Sequence, residues 1–449
     1  MDNNGAASRY FLNVLYREYF YLKNDKKPKK NRLRDLFLKR MLELYWSITR
    51  FIGLGFLHDG RRQATNRVDQ LLGQRPSIPR SSCIQSSDCG RMLIDVASTH
   101  LSGKETGIQR VVKEIAFAGA EMGAALPVLR IEDRFYPYFR NAISPDSVEL
   151  APGDILLLLD APAADLESYS AAMKAVRSLG GQNVVCIYDL LPKTIPWSFS
   201  PEQLQHYESW FSAIVCESDA AVCISESVAH ELKAHLAGLP QPVRMPVGWF
   251  QLGGNFRYSK TLPVGADVTA ITQTSSPFFL SVGTLEPRKG YHVSLDAMEE
   301  LWKRGIDVHF VIVGRYGWMS DVLQRRILEH EEHRKRLHWL QNANDAELHC
   351  LYSSAHALVF ASLAEGFGLP IIEAANDGLP VIASDIPIFR EVGGKNISYF
   401  RALDSSDLAR KLLEALTKER QPQKIEVPGW KQSTQQLLDM VRTQSYQLK

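Results

Sequence analysis

The sequence has few of the features that assign a chain to a class at once. Its six cysteines include no Cys-x-x-Cys pair, and neither a His/Cys cluster nor an Asp-x-Asp pattern offers ligands for a metal ion. No apolar run reaches the roughly 18 residues that a membrane-spanning helix needs. The formal net charge is only +2. We therefore expect buried, reduced thiols, no metal site and no transmembrane segment.

Length and composition indicate a multidomain globular protein. A chain of 449 residues is too long for one ordinary core, so two or three domains are expected. Hydrophobic residues make up 45% and charged residues 23%, as in soluble globular proteins. The N-terminus is polar, and no small-residue cleavage site follows an apolar core there. We therefore expect no secretory signal.

The near-zero net charge hides a strongly basic N-terminal segment. Residues 1–75 hold 16 Lys and Arg against 7 Asp and Glu, and residues 23–30 alone contain five lysines. Apolar and aromatic residues recur at helical spacing between Leu33 and Ile52. Such helices can lie in a bilayer interface, which predicts peripheral membrane contact through residues 1–75. The alternative is a helical extension that packs on its own body with solvated lysines.

Beyond residue 90 the pattern predicts two successive α/β units. Residues 1–90 form the basic helical extension, which ends in a linker rich in Ser, Pro, Gln and Gly. Short apolar strands then alternate with helices over residues 91–260, and the alternation restarts over residues 275–425. This predicts parallel sheets covered by helices on both faces, in two Rossmann-like domains that face a cleft. Residues 426–449 hold a last helix.

The predicted elements follow from short apolar runs and helical periodicity. In the first unit we expect strands at 92–97, 155–159, 184–187 and 221–224, a polar loop at 98–109, and helices at 107–122 and 201–215. In the second unit we expect strands at 278–282, 308–313, 337–340, 358–361 and 381–383.

The most informative stretch is a pair of carboxylates around a glycine-rich turn. Glu365 and Glu373 lie eight residues apart, with Gly366, Gly368 and Pro370 between them. An apolar strand precedes the turn and a helix follows it, an arrangement that offers backbone N–H groups to an anion. Both carboxylates could face a ligand with an anionic middle and hydroxyls at its two ends, such as a nucleotide-sugar. The alternative is a tightly packed helix N-terminus with two solvated glutamates.

These residues resemble a known family. The Glu365–Glu373 stretch looks like the E-x7-E motif of retaining glycosyltransferases of the GT-B fold, family 4 in particular. Residues 278–290 resemble the strand and loop that open that family's donor domain. Residues 311–314, followed by Gly317 and Trp318, resemble its next strand and turn. The likeness covers about residues 91–449 and is strongest over 278–394, and the last helix resembles the segment that crosses back to the first domain.

The resemblance implies roles on the donor side. Glu373 would bind the ribose hydroxyls, and Glu365 the hydroxyls of the donor sugar. Arg288 and Lys289, expected at the surface of the cleft, would stabilise the charge of the departing diphosphate; the alternative is a solvated basic turn. Thr284 stands where the family often has an arginine. The other donor-binding candidates are the residues of the two glycine-containing turns: Gly314, Gly366, Phe367, Gly368 and Leu369.

The same resemblance implies an acceptor side in the first domain. Residues 98–109, with Gly103 and Gly107, resemble the loop that closes over the donor phosphates and the acceptor in family 4. Residues 106–112 are similar to the "TGI-x-RV" signature of bacterial mannosyltransferases that build polysaccharides. Arg110 of this stretch would reach the cleft, and an arginine on the helix surface is the alternative. Residues 188–192 are similar to the "HDLIP" run of the same enzymes. Tyr188 stands where a histidine is usual, so Asp189 becomes the candidate polar contact and is counted with Glu365, Arg288 and Lys289 as catalytic. A purely structural Asp189 is the alternative.

The predicted function is a retaining transfer of a hexose, mannose from GDP-mannose, to a saccharide or lipid-linked saccharide acceptor in surface polysaccharide biosynthesis. The expected place is the cytoplasm, at the inner face of the cytoplasmic membrane. The resemblance implies no metal, no covalent nucleophile and no cofactor besides the donor. Alternatives are a sugar-nucleotide epimerase, a phosphorylase on a similar scaffold, or a nucleic-acid-binding protein that uses the basic N-terminus; we expect no nucleic-acid partner.

Overall fold

The computed structural model describes residues 90–102, 107–131, 134–139, 142–144, 146–160, 166–255, 262–418 and 424–448. The predictions for the N-terminal extension and linker, for Gly103 and for Cys83 and Cys89 lie outside these residues. The four cysteines within them, Cys186, Cys216, Cys223 and Cys350, are free thiols. No helix of the described residues is long and apolar enough to cross a membrane.

An eight-stranded sheet organises the first half of the described chain. Its strands are β1 (Met92–Asp95), β2 (Leu126–Ile131), β3 (Arg134–Phe139), β4 (Ala142–Ile143), β5 (Ile155–Leu158), β6 (Gln182–Ile187), β7 (Ala220–Cys223) and β8 (Val247–Trp249). They lie in the order β4-β3-β2-β1-β5-β6-β7-β8, and all pairs are parallel except β2–β3 and β3–β4. Strands β1, β5 and β7 are buried along their whole length, as the continuous apolar runs predict.

Helices cover both faces of this sheet. They are α1 (Ala97–Ser102), α2 (Gly107–Glu121), α3 (Leu166–Ser178), α4 (Leu191–Thr194), α5 (Pro201–Trp210) and α6 (Glu226–Ala237). A 3₁₀ turn at Pro196–Ser198 precedes α5, and a π-helical turn at Phe211–Val215 continues it. Both predicted helices are therefore present. The helix predicted at 107–122 ends one residue earlier, and the helix predicted at 201–215 changes from α-helix to a π-helical turn at Phe211.

A six-stranded parallel sheet organises the second half. Its strands are β9 (Phe278–Val282), β10 (His309–Val313), β11 (Leu337–Leu340), β12 (Ala357–Phe360), β13 (Val381–Ser384) and β14 (Ser398–Phe400). The order β11-β10-β9-β12-β13-β14 reverses direction between β9 and β12, which makes that gap the switch point of a doubly wound sheet. The predicted class of two Rossmann-like domains facing a cleft is thus confirmed.

The helices of the second half follow the same alternation. They are α7 (Ala266–Thr272), α8 (Tyr291–Lys303), α9 (Asp321–Leu328), α10 (Asp345–Ser354), α11 (Leu369–Asn376), α12 (Pro387–Gly393) and α13 (Ser405–Leu416). The last helix, α14 (Trp430–Thr443), lies against α2 of the first half. Residue Leu448 beyond it forms an antiparallel bridge with Val247 of β8.

Two local predictions in the first half were wrong. Strand β1 ends at Asp95 instead of residue 97, and helix α1 (Ala97–Ser102) occupies the start of the stretch 98–109 that we expected to be a polar loop. The cause is local, because the Asp95 carboxylate accepts the backbone N–H of Ala97 at 2.9 Å and so turns the chain into a helix. The antiparallel β3–β4 pair was not predicted, since Pro137 interrupts the strand pattern of β3.

One hydrophobic core joins the two halves. A single cluster of buried side chains runs from Ile94 and Leu157 under the first sheet to Leu280 and Phe360 under the second. Trp430 of α14 belongs to it. The carboxyl ends of both sheets therefore meet over continuous packing, which places the loops that follow their strands next to each other.

Candidate active site between the two domains

Two loops meet at the switch point of the second sheet. One follows β9 and contains a 3₁₀ turn at Pro287–Lys289, and the other runs from β12 to α11. The Leu363 N–H donates to the Arg288 carbonyl at 2.8 Å, and the Arg288 guanidinium donates to the Ala364 carbonyl at 3.2 Å. These bonds clamp the loops together where doubly wound sheets bind ligands.

Glycines let the second loop approach the first domain. A Cβ on Gly366 would lie 1.8 Å from the Tyr188 carbonyl oxygen, so no larger residue fits that contact. Gly368 precedes α11 with φ +102, a conformation that favours glycine. The turn between the two predicted glutamates therefore touches the first domain directly.

Both oxygens of Glu365 are held by cations. Lys289 Nζ lies 2.6 Å from Oε1, and Arg288 Nη1 lies 2.8 Å from Oε2. The Glu365 side chain is only 10% exposed. Burial alone would raise its pKa, but the adjacent charges of Arg288 and Lys289 outweigh burial and lower the pKa of Glu365 to about 2. Glu365 is therefore a fixed anion.

The surface position expected for Arg288 and Lys289 is wrong. Their side chains are 13% and 12% exposed, because both turn inward to the Glu365 carboxylate. The Arg288 pKa is raised: burial opposes its charge, but the neighbouring carboxylates outweigh burial. A diphosphate that uses these cations must share them with Glu365 or take them from it.

Two more carboxylates border the same cations. Glu286 Oε2 lies 2.9 Å from Arg288 Nε, and burial raises the Glu286 pKa despite that charge. Asp189, at the end of β6 in the first domain, accepts the Leu191 N–H at 3.2 Å. Burial raises the Asp189 pKa, while Arg288 opposes the rise. Sequence reasoning gave Glu286 no role, although it lies inside the quoted 278–290 motif.

Glu373 bridges the domains instead of facing open solvent. Arg110 Nη1 of α2 lies 2.7 Å from Glu373 Oε1, and the Tyr352 hydroxyl of α10 donates to Oε2 at 2.8 Å. Burial raises the Glu373 pKa, opposed by Arg110 and by the Tyr352 hydrogen bond. Arg110 therefore lies on the donor-side carboxylate rather than in a separate acceptor loop. No periodicity or motif singled out Tyr352.

The remaining predicted residues lie around these groups. Leu369 Cδ1 is 3.4 Å from where a Cβ on Gly107 would stand, so the donor turn and the acceptor-side helix touch. Thr284 is half-buried beside Gly317, and the Gly314 carbonyl accepts Trp339 Nε1 at 2.8 Å.

Two predicted aromatic residues belong to the core rather than to an open surface. Tyr188 and Phe367 are buried in the shared core cluster. For Tyr188 this means that its main chain, not its ring, lies at the donor turn. Asp189 remains the candidate polar contact of this stretch.

Three further contacts tie the domains together, and none was predicted. The Ser225 hydroxyl donates to the Gly366 carbonyl at 2.9 Å. The Glu391 carboxylate accepts the first backbone N–H groups of α6, from Glu226 at 2.7 Å and Ser227 at 2.9 Å. On the other side of the cleft, Trp318 Nε1 donates to the Ser198 carbonyl at 2.7 Å.

The chemistry that this arrangement allows is charge stabilisation. Within the described ranges, no group of three His, Cys, Asp or Glu side chains is placed to hold a metal ion. Two cations and the N-terminus of α11 converge where the loops meet, and two carboxylates with different partners flank them. The cations could stabilise an anionic leaving group, and the carboxylates could orient hydroxyls.

Two Rossmann-like domains, with the candidate site at the switch point between them, are the arrangement of the GT-B class of folds. HepE from Anabaena, solved in complex with UDP and glucose, shares the fold with a TM-score of 0.51 and 16% identity over 79% of this chain and 95% of that chain. Residues 270–429 match the family of glycosyl transferases group 1, and the chain carries the domain of that family.

Curated relatives extend the likeness beyond that domain. The serotype-specific mannosyltransferase WbdA of Escherichia coli is 32% identical over 410 residues, which cover 84% of this chain and 50% of WbdA. The chain therefore spans about half the length of WbdA. The O-antigen chain mannosyltransferase RfbU of Salmonella typhimurium is 37% identical over 115 residues, 26% of this chain and 31% of RfbU.

Proposed function

We propose that this protein is a retaining glycosyltransferase that moves mannose from GDP-mannose to a saccharide or lipid-linked saccharide acceptor in surface polysaccharide biosynthesis. The observation that carries the proposal is the placement of Glu365 and Glu373 on either side of the turn before α11, with Arg288 and Lys289 between the loops. A nucleotide-sugar donor has matching groups: its sugar for Glu365, its diphosphate for the two cations, and its ribose for Glu373.

The donor would lie across the switch point. Its diphosphate meets Arg288, Lys289 and the N-terminus of α11, where positive charge and the helix dipole favour an anion. Its sugar hydroxyls reach Glu365, and its ribose hydroxyls reach Glu373. These contacts gain strength as the sugar–phosphate bond breaks, since negative charge then grows on the departing diphosphate.

The relatives support a mannose donor and a polysaccharide product. WbdA and RfbU both carry the name mannosyltransferase, and RfbU is named for the O-antigen chain. The acceptor hydroxyl would attack on the face from which the diphosphate departs, and a phosphate oxygen would take its proton. The product then keeps the anomeric configuration of the donor, and the enzyme needs no cofactor beyond the donor itself.

A thermal-shift screen tests the donor. A ligand at about 100 times its Kd that binds only the folded state adds about 2.7 kcal/mol of stability. GDP-mannose should raise the unfolding midpoint more than UDP-glucose or UDP-N-acetylglucosamine. Glu373→Gln should reduce the shift, while Glu300→Gln, on an exposed stretch of α8, should keep it.

The product tests the reaction class. Incubation of GDP-mannose with oligomannoside acceptors should give a new glycosidic bond whose anomeric NMR signals match the configuration of the donor. Inversion at the anomeric carbon would overturn the retaining mechanism. Conversion of GDP-mannose to another nucleotide-sugar without a new bond would favour the epimerase alternative.

Membrane contact through residues 1–75 belongs to the same proposal. Sixteen basic residues in that stretch, at about 1 kcal/mol for each one close to an anionic leaflet, would anchor the protein reversibly at the inner face of the cytoplasmic membrane. Deletion of residues 1–75 should abolish co-sedimentation with anionic vesicles and leave transfer to a short soluble acceptor intact. A full-length chain that stays in the supernatant at every lipid composition would contradict this.

A further inference from the structure

The site that would receive a diphosphate already holds more negative than positive side chains. Around the two loops lie three carboxylates, Asp189, Glu286 and Glu365, and two cations, Arg288 and Lys289. The ion pairs are close: 2.9 Å from Arg288 to Glu286, and 2.8 Å and 2.6 Å from Arg288 and Lys289 to Glu365. The cations are thus neutralised before a ligand arrives.

A diphosphate adds further negative charge to this cluster. Like charges at such separations in a site of low dielectric constant repel strongly, so something must offset the added charge. Turning Arg288 and Lys289 toward the phosphates does not change the total, since it leaves Glu365 buried without its partners. The total changes only if a cation enters with the ligand or if one carboxylate takes up a proton.

Asp189 is the carboxylate best placed to take the proton. Glu365 is held ionised by two cations, and Glu286 keeps its own contact with Arg288. Asp189 has a backbone hydrogen bond from Leu191, and it feels the cations only through space. Its Cβ is 3.3 Å from the position of a Cβ on Gly366, so it faces the donor turn from the first domain.

The groups that act on Asp189 come from both domains. Arg288, Lys289 and Glu365 of the two donor loops act on its charge. Burial and the nearby Asp189 raise the pKa of Glu231 of α6 and of Tyr207 of α5, whose hydroxyl donates to the Asp189 backbone carbonyl at 3.0 Å. Burial already raises the pKa of Asp189, and Arg288 opposes the rise. An incoming diphosphate would raise it further.

We propose that Asp189 takes up a proton from solvent when the diphosphate of the nucleotide-sugar binds, and returns it when the nucleoside diphosphate leaves. In its neutral form Asp189 donates an O–H hydrogen bond into the cleft instead of repelling the ligand. No bond to carbon or phosphorus changes in this step; a solvent proton moves to one carboxylate oxygen. The inference rests on the proposed donor site and adds a proton stoichiometry to it.

Calorimetric titration with GDP-mannose counts the proton. The full-length protein is titrated near pH 7.5 in buffers of different ionisation enthalpy, and the slope of the observed enthalpy against that enthalpy gives the protons taken up, about one for the wild type. Asp189→Asn should bring the uptake close to zero. Glu286→Gln, which removes a neighbouring carboxylate of the same cluster, should leave about one.

The outcomes separate this inference from the proposed function. Binding of GDP-mannose without proton uptake, or uptake that persists in Asp189→Asn but vanishes in Glu286→Gln, overturns the role of Asp189 and leaves the donor site standing. Binding that requires Mg²⁺, is lost in EDTA and takes up no proton shows that a cation offsets the charge. Absence of any GDP-mannose binding overturns the proposed donor, and this inference with it.

A second measurement does not depend on the variant folding. If a proton is bound with the ligand, wild-type affinity for GDP-mannose must fall as pH rises, by up to about tenfold per unit in the range between the Asp189 pKa of the free protein and that of the complex. Asp189→Asn should bind more tightly than the wild type at the upper end of that range and show a flat profile. A flat wild-type profile overturns the proposal.

Discussion

Glu365 and Glu373 stand at the two ends of one turn-and-helix unit, yet the protein holds them in opposite ways. Glu365 receives both of its cations from its own domain, and they lower its pKa to about 2. Glu373 receives one cation, Arg110, from the other domain and a neutral hydroxyl from Tyr352, and burial raises its pKa. The same residue type in one motif thus sits in two different electrostatic environments.

The difference concerns which domain controls each half of the donor site. In the proposed donor site, the ion pairs of Glu365 with Arg288 and Lys289 lie within the second domain, and Asp189 reaches the same turn from the first. The partner set of Glu373, where the ribose would bind, is complete only while Arg110 of α2 lies against α11. A donor ribose that takes Glu373 Oε1 must displace Arg110 or share the oxygen with it, so binding at this end is communicated to the first domain.

The largest expected effect is at the Glu365 end. Arg288→Ala should lower turnover by about 100-fold or more, because one preorganised charge donor is worth about 2.7–4 kcal/mol. It should also lower the free energy of unfolding by about 3–5 kcal/mol, because it leaves Glu286 without its ion-pair partner and Glu365 with Lys289 alone. Lys289→Ala should lose turnover similarly. Initial rates at saturating donor and urea unfolding measure both quantities.

A surface ion pair supplies the control for these variants. Arg390 pairs with Asp385 at 2.7 Å, but its side chain is 53% exposed. Arg390→Ala should change the unfolding free energy far less than Arg288→Ala does and leave turnover unaltered, because solvent screens an exposed pair. If Arg288→Ala and Lys289→Ala both kept full activity, the diphosphate assignment would be wrong.

The pH dependence of the free energy of unfolding should report the ion pairs of Glu365. The Glu365 pKa falls from 4.5 to about 2 on folding, so its ionisation stabilises the protein above about pH 4.5, and this contribution is lost as pH falls toward 2. At 1.36 kcal/mol per unit the contribution is about 3 kcal/mol. Glu365→Gln should therefore unfold with a flatter acid limb in urea titrations from pH 6 downward. Parallel acid limbs in the two proteins would contradict the pairing.

Nucleotide binding should divide the two glutamates. Glu373→Gln should weaken binding of GDP and of GDP-mannose alike, by about tenfold or more, since both ligands contain the ribose. Glu365→Gln should spare GDP and damage transfer, because its partner is the sugar. Calorimetric Kd values and single-turnover rates give the two readouts. An equal loss of GDP affinity in both variants refutes this division.

The fold and the donor side could be predicted because their signals are local. Apolar runs of four or five residues give strands β9 and β12, and the glycines and Pro370 between the glutamates specify a turn followed by a helix. The motif places Glu365 and Glu373 without any knowledge of their partners. Arg288 and Lys289 could be located in the same way. Their burial could not be predicted, because it depends on the Glu365 carboxylate, which lies 77 residues beyond Arg288 and 76 beyond Lys289.

The partners across the cleft could not be predicted, because tertiary packing alone brings them together. Arg110 lies on a helix whose apolar face is readable, but the residue it meets is 263 positions away. Ser225 meets the donor turn across 141 positions, and Glu391 meets α6 across 165. A helix start in the sequence predicts that a hydroxyl or carboxylate caps the helix. It does not predict which domain supplies the capping side chain, or which other groups that side chain contacts.

The smallest expected effect tests the interdomain pair itself. In a double-mutant cycle, Arg110→Met and Glu373→Gln should show a coupling of about 1–2 kcal/mol in the free energy of unfolding. The pair is only partly buried, with Arg110 28% exposed, so the coupling should be smaller than that of Arg288 and Glu365. The Arg390–Asp385 pair is the matched control and should show a weaker coupling, because solvent screens it.

Saturating GDP sharpens this last test. If the ribose takes Glu373 Oε1, the coupling between Arg110 and Glu373 must shrink when the cycle is repeated with bound nucleotide, while the Arg390–Asp385 coupling stays the same. By linkage, Arg110→Met should then bind GDP at least as tightly as the wild type, because the nucleotide no longer competes with an ion pair. A coupling that GDP leaves unchanged, together with weaker GDP binding in Arg110→Met, would show that Arg110 supports the nucleotide directly. Glu373 would then serve both partners at once.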